Sequence, residues 1–118
     1  MNDRLDELMS EVRELELERD WSQFHDPMNL AMLISSEAGE LLAEYRWTPT
    51  EDADAYTDDP EARARVEAEV ADVAIALLTM CARLNIDLPT VVRDKLSEVR
   101  RNYPPDVVRG TAERPSRP

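Results

Sequence analysis

The chain has 118 residues, a formal charge of −12 and 34% charged residues, with two glycines and one cysteine. That length builds one small core at most, burying somewhat under about 70% of the unfolded surface. The charge repels polymeric nucleic acid at long range and argues against a DNA-binding protein, although a nucleotide whose phosphates arrive already metal-bound is not excluded.

Few glycines, few alternating β-branched runs and abundant Ala, Leu, Glu and Arg point to an all-α fold. Cys81 lies alone in an apolar helical run, so it reads as a core thiol, with no intrachain disulfide and no thiolate metal site. The N-terminus is charged and amphipathic and no uninterrupted apolar run reaches about 18 residues, so neither a signal peptide nor a membrane span is expected. The expectation is a soluble, cytoplasmic protein.

The first predicted helix covers residues 3 to about 20, with Leu5, Leu8, Val12 and Leu15 on one side and charged residues elsewhere. The following RDWSQFHDP gathers Trp21, Phe24 and His25 before Asp26-Pro27, an N-cap followed by a first-turn proline. Two readings stand for these rings. Either Trp21 and Phe24 close the end of the core with His25 at the surface, or the rings form a stacking pocket for a flat ligand.

The second helix is predicted from about 27 to 46, and it carries an anomaly. Leu30, Leu33, Ile34 and Leu41 fall within roughly 60° of Glu37 on a helical wheel, so the acid sits inside the apolar stripe. Glu40 follows at i+3 and Glu44 lies beside both, a clustering that needs positive compensation. Gly39, between Glu37 and Glu40, costs about 1 kcal/mol relative to Ala, and its missing side chain would allow close helix packing or leave room for a ligand. Trp47 closes the helix. Residues 48 to 59 read as a loop, and residues 51 to 61 hold six acids and no base, which suits a solvated connection or a lid.

Asp59-Pro60 repeats the helix-start signature, and the third helix runs to about 84 with Asn85 as C-cap. From Val70 to Ala82 it is apolar nearly all round except at Asp72 and Thr79, the mark of a central helix. Glu69 lies on a face with Ala62, Val66, Val73, Ala76 and Met80, and Asp72 follows at i+3. Two helices each with such an acidic pair could present four carboxylates to one point. An all-oxygen cluster suits a hard cation, magnesium or manganese, better than zinc or copper. The alternative is that each pair is a solvated edge.

Asp87-Leu88-Pro89 starts a fourth helix over 88 to about 102, with Val91, Val92, Leu96 and Val99 as its packing side. Lys95, Arg100 and Arg101 in its later turns either complement the helix C-terminus or contact phosphate. One helical domain is therefore expected over 1–102. Residues 103–118, with four of the eight prolines, three arginines and no apolar periodicity, are expected to be a disordered tail.

Taken in order, RDWSQFH at 19–25, the Asn-Leu of PMNLAMLISSEAGELLAEYRW, Glu37-x-x-Glu40 answered by Glu69-x-x-Asp72, NIDLP, and Lys95 followed by Tyr103-Pro104 form a recognisable pattern. Over roughly residues 10–104 the chain resembles the MazG-like all-α nucleoside triphosphate pyrophosphohydrolases, and looks most like their dCTP pyrophosphatase branch. The resemblance implies a four-helix bundle assembled as a homo-oligomer, a dimer or tetramer. It implies hydrolysis of a nucleoside triphosphate, dCTP or a modified pyrimidine deoxynucleotide, between the α and β phosphates, with Glu37, Glu40, Glu69 and Asp72 as catalytic magnesium ligands. It also implies a substrate site with Trp21 and Trp47 lining the base pocket, His25 nearby, and Lys95 and Tyr103 near the phosphates. One of the carboxylates, or Glu44 beside them, would orient the attacking water. The family pattern places Asn where this chain has Val99 and a basic residue where it has Asn102, with Arg100 or Arg101 as candidate substitutes. A phosphoribosyl-ATP pyrophosphohydrolase-like enzyme and a non-catalytic module binding nucleotide and metal are the alternatives.

Overall fold

The computed structural model describes residues 3–112. Its order is α1 (Asp3–Arg19), a 3-10 turn at Ser22–Phe24, α2 (Pro27–Glu44), 3-10 turns at Thr50–Asp52 and Asp54–Asp58, α3 (Pro60–Leu84), α4 (Leu88–Asn102) and a short α5 (Pro105–Val108). Among the described residues there is no strand, as the composition predicted.

The helix boundaries follow local chemistry. The Asp26 carboxylate accepts from the Asn29 N–H at 2.9 Å, and Pro27 occupies the first turn of α2, where its missing N–H is no loss. Asp59 does the same for α3, accepting from the Ala62 N–H at 3.2 Å ahead of Pro60. Asn85 ends α3 in the left-handed region at φ 54°, a conformation Asn tolerates better than most side chains. The sequence places the end of α2 near 46; it comes at Glu44, and a turn carries the chain through Trp47. The predicted loop is not irregular, because its two 3-10 turns fold most of it locally.

The chain divides into two compact units, one ending at Asn85 and one beginning at Ile86, so a division falls inside the stretch expected to be one domain. In the first unit α3 packs against α2, α1 and the Asp54–Asp58 turn. Val12, Leu30, Ala62, Ala76, Leu78 and Cys81 are buried, and Leu30 is fully so. Cys81 is thus the expected core thiol, and burial pushes its pKa up. Gly39 does not permit a close approach in this chain, since a Cβ there would meet no atom within 4 Å. The expectation that α3 is covered nearly all round also fails within one chain. Val70, Ile75 and Leu77 remain exposed, because α1, α2 and one turn cannot enclose the whole circumference.

In the second unit α4 presents Val91, Val92, Leu96 and Val99, all exposed, and Lys95 pairs with Glu98 at 3.1 Å. Part of the expected tail is ordered: Pro105 opens α5, and the Val108 N–H donates to the Pro104 carbonyl at 3.1 Å. The rest of that expectation, on residues 113–118, lies outside the described residues.

Candidate active site

Three pairings along α2 and α3 fix how they pass each other. Glu44 meets Arg65, Glu37 and Glu40 meet Glu69 and Asp72, and Leu33 shares a pocket with Ile75, Ala76 and Thr79. As numbers fall along α2 they rise along α3, so the helices run in opposite directions. Each i, i+3 acidic pair then faces its counterpart, and one carboxylate oxygen from each of Glu37, Glu40, Glu69 and Asp72 lies within 4.8 Å of the others.

Four carboxylates that close repel one another. Glu37 and Glu69 are half-buried, and one oxygen of each, Oε2, is buried and lacks a hydrogen-bond partner. Burial, and then the negative charge of Glu40 with further contributions from Asp72 and Glu69, pushes the Glu37 pKa above the ordinary carboxylate value. Glu69 is raised by burial first and then by Glu40, Asp72 and Glu44. Unpartnered buried oxygens are costly unless something cationic satisfies them. The all-oxygen donor set and these two orphaned atoms fit a hard divalent cation.

The positive charge that the sequence demanded is present, but it serves Glu44. The Arg65 Nε–H donates to Glu44 Oε2 at 3.3 Å, the Tyr56 hydroxyl donates to the same oxygen at 3.3 Å, and Arg65 also donates to the Tyr56 hydroxyl at 3.4 Å. Glu44 is therefore occupied, which disfavours it as the group that orients water. The Tyr56 ring also packs against Tyr45 at a tilt of 53°, with centroids 5.0 Å apart, anchoring the Asp54–Asp58 turn at the end of α2. Neither Tyr56 nor Arg65 stood out in the sequence, because their partner lies on a different element.

Next to the carboxylates lies a pocket of about 310 Å³ with mainly apolar walls from α1, α2 and α3. Trp21, Phe24 and His25 are among its lining residues, and Trp21 and Phe24 stay exposed, so they do not seal the end of the core. Trp21 and His25 meet edge to face with centroids 6.3 Å apart, and the Arg19 guanidinium lies over the Trp21 ring. The Nδ1–H of His25 donates to Glu16 Oε1, and both side chains are mostly buried. The Ser22–Phe24 turn is tied to α3 by Arg83, which donates to the Ser22 carbonyl at 2.9 Å. Glu16 was missed in the sequence; its only signal is its place one turn after Val12, on the border of the apolar stripe.

Trp47 does not line this pocket. It is 87% exposed, with Arg46 over its ring. Lys95 and Tyr103 both belong to the second unit, where Lys95 is engaged by Glu98 and the Tyr103 N–H donates to the Val99 carbonyl at 2.8 Å. The structure thus brings together the four acids, and separately Trp21 and His25.

An all-α protein that gathers four carboxylates between opposed helices, one turn from a ring-lined pocket, defines a class of helical proteins whose carboxylates could hold a cation. The chain is 36% identical to a pyrophosphatase of known structure from Archaeoglobus fulgidus, with a TM-score of 0.78 over 86% of this chain and 93% of that one. It is 39% identical over 99 residues to dCTP pyrophosphatase 1 of Bos taurus and 36% identical over 101 residues to that of Homo sapiens, covering 84% and 86% of this chain. The chain spans 59% of the length of each of these two curated relatives. No family model matches it. The chain belongs to the MazG-like all-α nucleoside triphosphate pyrophosphohydrolase family.

Proposed function

We propose that this protein is a Mg²⁺-dependent nucleoside triphosphate pyrophosphohydrolase, with Mn²⁺ as a possible substitute ion. Its substrate is a pyrimidine deoxynucleoside triphosphate, dCTP or a modified relative, converted to the monophosphate and pyrophosphate in nucleotide-pool clean-up. The observation that carries the reading is the set of four converging carboxylates, two with an orphaned buried oxygen, one helical turn from a ring-lined pocket. The bovine and human relatives are named for action on dCTP.

Glu37, Glu40, Glu69 and Asp72 are the residues that would hold the cation, which when bound supplies charge neutralisation for the triphosphate and acidifies water. The chain's own residues do the rest. The Trp21 face offers a stacking surface for a flat base, and the apolar walls exclude water from it. The opposed acidic pairs fix where the phosphates lie relative to that base. A carboxylate of the cluster accepts the proton of the attacking water; Glu37 and Glu69, each with an unpartnered oxygen, are better placed for this than Glu44, whose Oε2 already accepts from Tyr56 and Arg65.

Exposed Met28, Met32, Leu42 and Trp47 on or just after α2 support assembly as a homo-oligomer, in which Trp47, Lys95 and Tyr103 would complete substrate sites. The altered last helix, with Val99 and Asn102, favours one rival, a non-catalytic nucleotide sensor. A panel of canonical and modified deoxynucleoside triphosphates, incubated with and without Mg²⁺ and assayed for monophosphate and pyrophosphate, decides between them. Release that needs Mg²⁺ and disappears in Glu37→Gln and Glu69→Gln supports the enzyme, whereas a folded protein that binds nucleotide without releasing pyrophosphate is a sensor. Including phosphoribosyl-ATP in the panel tests the remaining enzyme alternative.

A further inference from the structure

The polar side chains on the helical walls of the pocket share one property. Glu16, from α1, is a carboxylate and can only accept hydrogen bonds; its Oε1 already takes the Nδ1–H of His25, which leaves Oε2 as a fixed acceptor. Thr79, from α3, is buried and its hydroxyl donates to the Ile75 carbonyl at 2.7 Å. A hydroxyl has one hydrogen, so toward the pocket Thr79 too can offer only lone pairs. The remaining helical wall, made by Val12, Leu15, Leu33, Ile75 and Ala76, carries no polar side chain.

A flat ring that presents an N–H to this wall finds partners. One that presents a carbonyl at the same place sets lone pairs against lone pairs and finds no donor on this wall, the indole N–H of Trp21 belonging to the other side of the lining, near the Ser22–Phe24 turn. The position suits a base. Thr79 lies seven residues after Asp72 on α3, about 10 Å at the helical rise, comparable with the reach from a nucleotide's base to its phosphates.

We infer that Glu16, held in place by His25, and Thr79 are specificity-determining residues that accept from an exocyclic amino group, so this wall of the pocket favours an amino-pyrimidine such as cytosine over a keto-pyrimidine such as uracil or thymine. This rests on the nucleotide reading above and deepens it. His25 is a positioning residue in this scheme, because its Nδ1–H fixes the Glu16 carboxylate.

The test measures equilibrium binding of dCMP and dUMP to the full chain by calorimetry, without turnover, alongside pyrophosphate release from dCTP and dUTP with Mg²⁺. The wild type should favour dCMP by about tenfold or more, as expected where a buried polar site is left unpaired by the wrong ligand. Glu16→Gln, whose amide supplies an N–H donor in the same space, should shift the dCMP to dUMP ratio toward dUMP by about tenfold. Thr79→Val should weaken dCMP and leave dUMP unchanged. A merely structural role would instead weaken both nucleotides equally. Equal binding of the two nucleotides by the wild type, or a wild-type ratio retained in both folded variants, overturns the assignment. Should Glu16→Gln fail to fold, Thr79→Val and Glu16→Asp carry the comparison. Pyrophosphate release with an unchanged base ratio removes this assignment and leaves the hydrolase; a shifted binding ratio with no release from any nucleotide removes the hydrolase and leaves the assignment.

Discussion

Glu37 and Glu69 each place a buried, unpartnered oxygen in a field of like charge. The thermodynamic sign follows from their raised pKa values. A carboxyl whose folded-state pKa exceeds its unfolded value, ordinarily near 4.5, contributes stability below that unfolded value and loses it as the pH rises through the folded one. Without divalent metal, the melting temperature should therefore climb as the pH is lowered from about 8 toward about 5. In Glu37→Gln, which carries no charge there at any pH, the climb should shrink and the metal-free protein should melt higher than wild type at neutral pH. Thermal scans in EDTA across that range check both, and a Glu37→Gln protein less stable than wild type would show that the acid has a partner after all. Adding Mg²⁺ should reverse the order: at a hundredfold excess over Kd the cation stabilises the wild type by about 2.7 kcal/mol, and Glu37→Gln should gain far less.

Gly39 illustrates how an element can carry a residue that its own packing does not need. It lies between two of the acids in α2, and a Cβ there meets nothing within 4 Å. Gly39→Ala should then stabilise the protein by up to about 1 kcal/mol, the helix-propensity difference. If the space is kept for substrate, the same variant should raise KM for the nucleotide, whereas an unchanged KM would leave the glycine without a ligand-related role.

The Asp54–Asp58 turn depends on Tyr56, whose hydroxyl joins Glu44 on α2 and Arg65 on α3. Tyr56→Phe keeps the ring contact with Tyr45 and removes the hydroxyl, so the expected loss is about 1 kcal/mol, with faster amide exchange confined to residues 50–58. Exchange that speeds up throughout α2 and α3 would show the tether to be global instead. Because the turn is held to both helices, the acidic segment would have to break these bonds to move as a lid, the alternative to a solvated connection.

Considered whole, one chain leaves large apolar side chains uncovered in both of its units, among them Leu42 and Trp47 in the first and Val91, Val92 and Leu96 in the second. Self-association, as proposed above, would cover such surfaces. Light scattering at micromolar concentration should give a multiple of 13.5 kDa; a mass at the monomer value would sink the oligomer. Among the described residues no single helix is long and apolar enough to cross a membrane.

Much of this was legible without coordinates, because it is local. Asp26-Pro27, Asp59-Pro60 and Asn85 act within one turn of backbone, so they set the limits of α2 and α3 directly. The two acidic pairs were visible for the same reason: an acid among leucines or valines breaks a 3.6-residue period that any helix must obey. What depends on the relative placement of elements was not legible. Only folding shows that Glu37 and Glu40 face Glu69 and Asp72, that Arg65 neutralises Glu44 and leaves the cluster uncompensated, and that Glu16 reaches His25 to make an acceptor wall with Thr79. The separation of Trp47 from Trp21 and the uncovered side of α3 are likewise decided by how helices pass one another. Periodicity fixes which face a residue occupies along its own helix; the direction and register of the neighbouring helix come from side-chain packing across many residues, and no short stretch of this sequence encodes them.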